Sequence, residues 1–220
     1  KKDDTDTDSD DDVPIGQRLK KVKKPAKMTE RKKTKSKETD TSKREHKYFF
    51  SRSADPNAKL LSNFAPTPVD IDGRSYPTGE HALHGAKFLA AADSQEGDRA
   101  RSLANHAAAF ETGGRIGDNP VEAKKNGRAL KLNDSEIAHW NAVRDDAQRR
   151  ISEDKFSRHA NVRNALRSTR GQHLIHFSKG ANPGSYWEGK IDKDSGEIVG
   201  HNKLGKVWMD VRDRDAEADT

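Results

Sequence analysis

The first clear alternation of apolar and polar residues predicts a two-stranded hairpin. Val69 and Ile71 alternate with aspartates, and Asp72-Gly73 is a strong two-residue turn signal. Pro77 discourages the second strand from continuing, and Thr78 is a suitable N-cap for a helix. The pattern therefore predicts a hairpin that leads directly into a helix.

Downstream, apolar residues that recur every three or four positions predict further helices. After the helix that contains Glu80, these helices run from Glu96 to Phe110, from Asn119 to Asn126, across Ile137 to Ile151, across Val162 to Leu166, and from the N-cap Asn202 to Val211. Two apolar runs, Tyr48–Phe50 and His173–Phe177, predict strands. Because the elements alternate without βαβ regularity, we expect one α+β domain, predominantly helical, with a small antiparallel sheet.

The first 47 residues differ in composition from the rest of the chain. All 7 Phe, 3 Tyr and 3 Trp lie from Tyr48 onward, so the first segment cannot bury enough apolar surface to offset the entropy cost of ordering. It holds 16 Lys and Arg against 11 Asp and Glu, and thus five of the six net positive charges. We predict a disordered charged tail at 1–47, a folded domain at 48–214 and a C-terminal tail at 215–220.

Two basic clusters in the tail, Lys20–Lys24 and Arg31–Lys35, are typical of nucleic-acid contacts or nuclear localisation signals. A solvated linker is the alternative.

The chain has no cysteine, which excludes disulfides, thiol nucleophiles and thiolate metal sites. No apolar run approaches bilayer length and no secretory signal is visible, so we expect an intracellular protein, nuclear or cytoplasmic, without a membrane partner.

The helix after the hairpin carries the main candidate chemistry. Glu80, His84 and Lys87 are spaced i, i+4, i+7, which places them on one face. A lysine amine becomes nucleophilic towards a carbonyl carbon where burial disfavours its charged form. The order Glu-His-x-x-His, which includes His81, differs from the zinc motif His-Glu-x-x-His and lacks a third ligand. We therefore expect neither a metal nor another cofactor.

Several motifs, taken in order along the chain, resemble one family. They are LSNF at 61–64, DGRSYPTGEH at 72–81, AKF at 86–88, VEAK at 121–124, YW at 186–187, NKLG at 202–205, and WM with VR at 208–212. The series resembles the YbiA-like or NADAR family of NAD- and ADP-ribose-associated N-glycosidases. It covers Tyr48 to Arg212, and it implies a YbiA-like catalytic domain at 48–214.

The resemblance implies hydrolysis of an N-glycosyl bond. We expect release of ADP-ribose from a nucleobase, with guanine in nucleic acid or in a nucleotide as the implied acceptor. Lys87 would form an imine with the anomeric carbon of the opened ribose, and Glu80 would act as the proton shuttle. Because seven residues advance a helix axis by about 10 Å, a sugar is better suited than an ion pair to fill the gap between the two side chains.

Ten residues are predicted to contact the substrate, and three of them, Phe50, Asn63 and Phe64, rest on the resemblance alone. Trp187 would stack on a base, and Arg52 and Arg128 would hold phosphate with their planar forks. Family members often carry an acidic residue where this chain has Gly184, which leaves Glu188 as the candidate second carboxyl. The full set is Phe50, Ser51, Arg52, Asn63, Phe64, His84, Arg128, Trp187, Glu188 and Asn202.

Two alternatives stay open on sequence grounds. Some family members act on phosphoribosylated pyrimidine intermediates of riboflavin synthesis, which are also N-glycosides. The other alternative is a module that binds NAD or ADP-ribose without turnover, because the second acidic residue is not at its usual position. Cleavage assays with both substrates would distinguish the two enzymatic hypotheses. Tight binding of ADP-ribose without any product would indicate the binding module.

Overall fold

A computed structural model describes residues 45–218, which fold into seven helices and six short strands. Helices α1 to α7 span Pro56–Leu60, Gly79–Asp93, Gly97–Ala108, Pro120–Asn126, Asp134–Arg158, Ala160–Arg167 and Lys203–Ala218. Strands β1 to β6 span His46–Phe49, Val69–Ile71, Arg74–Tyr76, His173–His176, Lys190–Ile191 and Ile198–Val199. The predicted α+β class with a helical majority is confirmed. The predictions for residues 1–44, including both basic clusters, lie outside the described residues.

The structured region extends beyond both predicted domain limits. Strand β1 already begins at His46, and α7 continues to Ala218, well into the predicted C-terminal tail. Asp215 explains this extension, since its carboxylate accepts two hydrogen bonds from Arg167, at 2.7 and 2.6 Å. A bidentate contact of this kind holds the last turns of α7 against α6.

The hairpin and the helix after it form as their local sequence predicts. Asp72 and Gly73 both have positive φ, 53° and 72°, as a two-residue hairpin turn requires. The register pairs Val69 with Tyr76. Thr78 then caps α2, because its side chain accepts a hydrogen bond from the backbone N–H of the third helical residue.

The sheet differs from the predicted single antiparallel one. The strands pair in three two-stranded sheets, and the pair β1–β4 is parallel, with Phe49 opposite His176. Only β2–β3 and β5–β6 are antiparallel. Parallel strands need a long crossover connection, and here the chain between β1 and β4 contains six helices. No local turn signal could have predicted this pairing.

Two hydrophobic clusters form the core, and they meet near Trp187. One cluster surrounds α2 and contains Phe88 and Trp140, and the other surrounds β1 and β4 and contains Phe49 and Trp208. Helix α5 packs against both α2 and α7 and so joins the two. Trp187 contacts both clusters, so the irregular segment that carries it lies where they join.

A buried lysine supports the turn that precedes the hairpin. Lys155 of α5 is fully buried and donates hydrogen bonds to the carbonyls of Leu60 and Ser62, at 3.0 and 2.8 Å. The indole N–H of Trp208 donates to the carbonyl between them, that of Leu61, at 2.8 Å. Burial lowers the pKa of Lys155 to about 7. This turn is therefore held by side chains from α5 and α7.

We expect Lys155 to make stability depend on pH in a defined window. The unfolded chain keeps this lysine protonated up to roughly pH 10, whereas the folded protein releases the proton near a pKa of about 7. The unfolded state then binds more protons, so stability rises with pH between these values. Compared with Lys155→Met, the wild-type free energy of unfolding should rise by ~1 kcal/mol per pH unit from about pH 7 to about pH 9.

Urea unfolding of both proteins at several pH values measures this difference. Tyr76, whose pKa burial raises to about 12, is present in both proteins and cancels from the comparison. If the free energy of unfolding changed with pH in the same way in the wild type and in Lys155→Met, the expectation would be contradicted.

Candidate active site

The site is built on the first turns of α2, where Glu80 and His84 form a pair. His84 Nε2 lies 3.2 Å from Glu80 Oε1, and the two side chains are only 13% and 12% exposed. The backbone N–H of Glu80 donates to the carbonyl of Asn63 at 2.9 Å. Glu80 is therefore fixed both by its backbone and by its carboxyl group, and its side chain is largely buried.

A glycine on the turn after α4 makes room for His84. A Cβ atom added to Gly127 would lie 2.2 Å from His84 Nδ1, far inside van der Waals contact. The same nitrogen is buried without a hydrogen-bond partner among residues 45–218. The ring of His84 thus packs directly against the backbone at Gly127, and Phe110 contacts it at a centroid distance of 5.7 Å.

Gly127→Ala should therefore displace His84 from Glu80. We expect a destabilisation of about 1–3 kcal/mol from overpacking and a loss of activity of about tenfold or more from the misplaced carboxyl. Urea unfolding and steady-state rates measure the two effects. Ala129→Ser, at an exposed position two residues further on, is the control. Unchanged activity in Gly127→Ala would contradict the role of the His84–Glu80 pair.

Glu188 is the second carboxyl at the site. It is 6% exposed, and its Oε2 has no hydrogen-bond partner in the described part of the chain. Burial raises the pKa of Glu188, and the nearby charge of Glu80 raises it further, while its own backbone N–H, Lys124 and Arg128 oppose the shift. Glu80 and Glu188 are thus close enough to interact electrostatically, and burial makes the Glu188 carboxyl harder to ionise than an exposed one.

Lys124 is a site residue that the sequence predictions did not include. Its Nζ lies 5.8 Å from the ring centroid of Phe64, and its charge acts on both Glu188 and His176. The only sequence signal was its place in the VEAK motif. Arg128, one turn further on, is exposed but also acts on Glu188. The two cations make this side of the site positive.

His176 was also missed as a site residue. Burial lowers its pKa to about 4, and its ring stacks on Phe49 at 5.2 Å. The charges of Glu80 and Lys124 act on it, so the end of β4 lies beside the site. Its position depends on the parallel β1–β4 pairing, which the sequence did not predict.

Lys87 lies two turns beyond Glu80 on the same helix. Its side chain is half-buried, and its Nζ lies 6.0 Å from the ring centroid of Phe88. The helix is continuous from Glu80 to Lys87, so about 10 Å of axis separates them. The structure therefore keeps the predicted spacing for a bound pentose, and the nucleophilic role of Lys87 stays a prediction.

Two predicted substrate contacts use their amide groups within the protein. The Asn63 side chain pairs with that of Gln148 through two hydrogen bonds, at 2.8 and 3.3 Å. Asn202 accepts from the N–H of His176 at 2.9 Å and donates to the carbonyl of Leu174 at 2.9 Å. Both amides thus hold backbone segments next to the site.

The predicted N-cap role of Asn202 is wrong. Its side chain bonds strand β4, and its own φ is 50°. The first amides of α7 are instead satisfied by backbone carbonyls: Lys203 N–H donates to Tyr186 at 3.1 Å, and Leu204 N–H to Trp187 at 3.3 Å. Tertiary contacts here replace a local cap.

The remaining predicted contacts lie on the segment after β1 and on the Trp187 segment. The Phe50 ring contacts Phe177 at 5.3 Å, and Ser51 and Arg52 are exposed. Trp187 is half-buried and meets the Tyr186 ring at 5.0 Å. Because β1 pairs with β4, with Phe49 opposite His176, the segment after β1 starts near His176. The roles of these residues in substrate binding stay predictions.

The comparisons with known proteins agree with this architecture. The family model of the NADAR domain matches residues 48–214. The chain belongs to the NADAR family. N-glycosidase YbiA from Shigella boydii serotype 4 (strain Sb227) is 28% identical over 166 residues, which cover 76% of this chain and 86% of that protein. N-glycosidase YbiA from Escherichia coli (strain K12) is 27% identical over the same shares.

A solved structure also resembles this one. The NMR structure of the E. coli protein YbiA superposes with a TM-score of 0.54 at 26% identity, and the match covers 80% of this chain and 87% of that one. The predicted family and fold are therefore confirmed.

Within this NADAR domain, His81 takes a structural role. The Thr78 hydroxyl lies 2.8 Å from His81 Nδ1, and Nε2 lies 2.9 Å from the carbonyl of Gly117. Nδ1 thus contacts the N-cap residue of α2, and Nε2 attaches α2 to the loop before α4. Residues 45–218 contain no cluster of three or more His, Cys, Asp or Glu able to hold a metal. In the same range, no helix has the length and apolar character to span a membrane.

Proposed function

We propose that this protein is a hydrolase that cleaves N-glycosyl bonds, and that its substrate is ADP-ribose linked to a nucleobase, with guanine as the acceptor. Membership of the NADAR family and similarity to proteins named N-glycosidase support the bond that is cleaved. The observation that carries the proposal is that Glu80 lies close enough to the buried Glu188 for the two carboxyl groups to interact electrostatically. Two carboxyl groups in different environments can perform proton donation and proton acceptance at one bond.

The environments suggest a division of roles. Glu188 is buried and its pKa is raised, so it can hold a proton for the leaving nitrogen of the base. Glu80 lies in the first turn of α2, at the positive end of the helix dipole, and is held by His84. Glu80 therefore suits the proton shuttle, and Glu188 the acid.

The steps follow from these roles. Glu188 protonates the leaving nitrogen while the Lys87 amine attacks the anomeric carbon and the N-glycosyl bond breaks. Glu80 takes a proton from the attacking nitrogen and returns it to the ring oxygen as the ribose opens to an imine. Water adds to the imine carbon and returns a proton to Glu188, and departure of the amine frees ADP-ribose and Lys87. The net reaction consumes one water, whose hydroxyl goes to the ribose and whose hydrogen goes to the base.

The positive side of the site suits the rest of the substrate. Lys124 and Arg128 lie where they would attract the diphosphate, since both act electrostatically on Glu188. Phe64, beneath Lys124, and the half-buried Trp187 offer ring faces for the nucleobase or the adenine.

Three substrates test the proposal: an oligonucleotide with ADP-ribosylated guanine, free ADP-ribosylated guanosine, and a phosphoribosylated pyrimidine from riboflavin synthesis. Chromatography measures the products. We expect ADP-ribose and restored guanine from at least one of the first two. Cleavage of the pyrimidine alone would overturn the proposed substrate, and tight ADP-ribose binding with no product from any of the three would overturn the enzyme.

A further inference from the structure

The segment that carries Trp187 and Glu188 is held along its backbone by the start of α7. Three successive carbonyls, those of Tyr186, Trp187 and Glu188, accept hydrogen bonds at 3.0–3.3 Å. Their donors are the backbone N–H groups of Lys203, Leu204 and Asn202 in that order. The helix start and this segment therefore form one hydrogen-bonded unit, although the segment has no regular structure of its own.

One side chain of α5 binds both parts of this unit. Asp145 accepts a hydrogen bond from the hydroxyl of Tyr186 through Oδ1 and one from Lys203 Nζ through Oδ2, at 2.8 Å. The guanidinium of Arg144 lies 3.3 Å from the ring centroid of Tyr186, which fixes the ring as well as the hydroxyl. Asp145 thus attaches both the Glu188 segment and the start of α7 to α5.

Glu188 depends on this attachment because the hydrogen-bonding group that acts on its carboxyl is its own backbone N–H. Its Oε2 has no partner within residues 45–218, and the cations near it act at a distance. The direction of the carboxyl is therefore set by the backbone two residues after Tyr186. A carboxyl that must meet a leaving nitrogen needs its position held to within a fraction of an ångström.

We propose that Asp145 and Tyr186 are positioning residues for Glu188, and that their hydrogen bond sets where the Glu188 carboxyl stands relative to Glu80. This inference rests on the proposed function, in which Glu188 is the acid. Neither residue touches the reacting atoms. They act through the backbone of the segment and through α7.

Tyr186→Phe tests the inference with the smallest change, since it removes the hydroxyl and keeps the ring on Arg144. We expect kcat to fall about tenfold and KM to stay within about twofold, because a misplaced acid weakens the transition state more than substrate binding. The pH at which kcat/KM falls on the alkaline side should decrease by about half a pH unit or more, because a loosened segment admits water to Glu188.

Two further variants separate positioning from general stability. Asp145→Asn keeps an oxygen that can accept from Tyr186, so its kcat should stay well above that of Asp145→Ala. Tyr48→Phe, at an exposed tyrosine of β1, should match the wild type in both kcat and pH profile. An unchanged kcat together with an unchanged high-pH limb in Tyr186→Phe would overturn the inference.

A second measurement keeps this result distinct from failure of the proposed function. The Glu188 side-chain carboxyl can be followed by carbon-13 NMR over a pH titration, assigned with Glu188→Gln. If no substrate is cleaved, the proposed function fails, and the titration still decides the positioning role. We expect the Glu188 titration midpoint in Tyr186→Phe to move towards the ordinary carboxyl range, and an identical midpoint in both proteins would overturn the role.

Discussion

Replacement of Lys87 by alanine is expected to abolish release of ADP-ribose from the nucleobase. The amine is the only group on this face of α2 that can form an imine with the anomeric carbon, so its removal eliminates the covalent route. We expect kcat to fall by about 10⁴-fold or more, as is typical when a nucleophile is deleted. Lys87 is half-buried at the surface of α2, so stability should change little.

Borohydride trapping makes the Lys87 prediction specific to mechanism. Reduction during turnover should attach the mass of ADP-ribose to Lys87, and peptide mass spectrometry measures the site. The matched control is Lys125→Ala, since the Lys125 side chain is 76% exposed on α4 and should leave both rate and trapping unchanged. Full cleavage by Lys87→Ala, or trapping at another lysine, would contradict the mechanism.

Glu80→Gln is expected to have the second largest effect. Glutamine keeps the size of the side chain and can still reach His84 Nε2, which lies 3.2 Å from the present carboxyl oxygen. It cannot carry a proton between the amine and the ring oxygen. We expect kcat to fall by about 10²- to 10⁴-fold, the usual range for loss of general acid–base catalysis.

A matched carboxyl on α4 provides the control for Glu80. Glu122 also lies in the first turn of its helix, and its side chain is 45% exposed, so Glu122→Gln should behave as the wild type. Steady-state rates and urea unfolding should be measured on all three proteins. A Glu80→Gln protein that keeps activity within about twofold of the wild type would remove Glu80 from the mechanism.

Local sequence signals predicted the elements that local forces stabilise. The Asp72-Gly73 turn, the Thr78 cap and the Asn119-Pro120 helix start all form as expected. Helix α1 was missed, although Asp55 caps it and Pro56 is its first residue. That pair is a recognised helix start, so a local signal for this short helix is present in the sequence.

The candidate site was only partly predictable, because its members come from distant parts of the chain. Glu80, His84 and Lys87 share a helix, and their helical period alone placed them together. Lys124 and His176 join them only through packing of α4 and β4. The chemistry of His176 arises from burial, which lowers its pKa to about 4, and burial is a tertiary property.

By itself, the sequence determined the hairpin with its capped helix, the face shared by Glu80 and Lys87, and the membership of a family, since each depends on nearby residues or on ordered motifs. The tertiary structure alone decided the parallel pairing of β1 with β4 and the placement of Glu188 beside Glu80. It also decided that Lys155 would be buried and that Asn202 would bond β4 instead of capping α7. The physical reason is that contacts between residues far apart in the sequence determine which groups are buried away from solvent. A local sequence pattern does not contain this information.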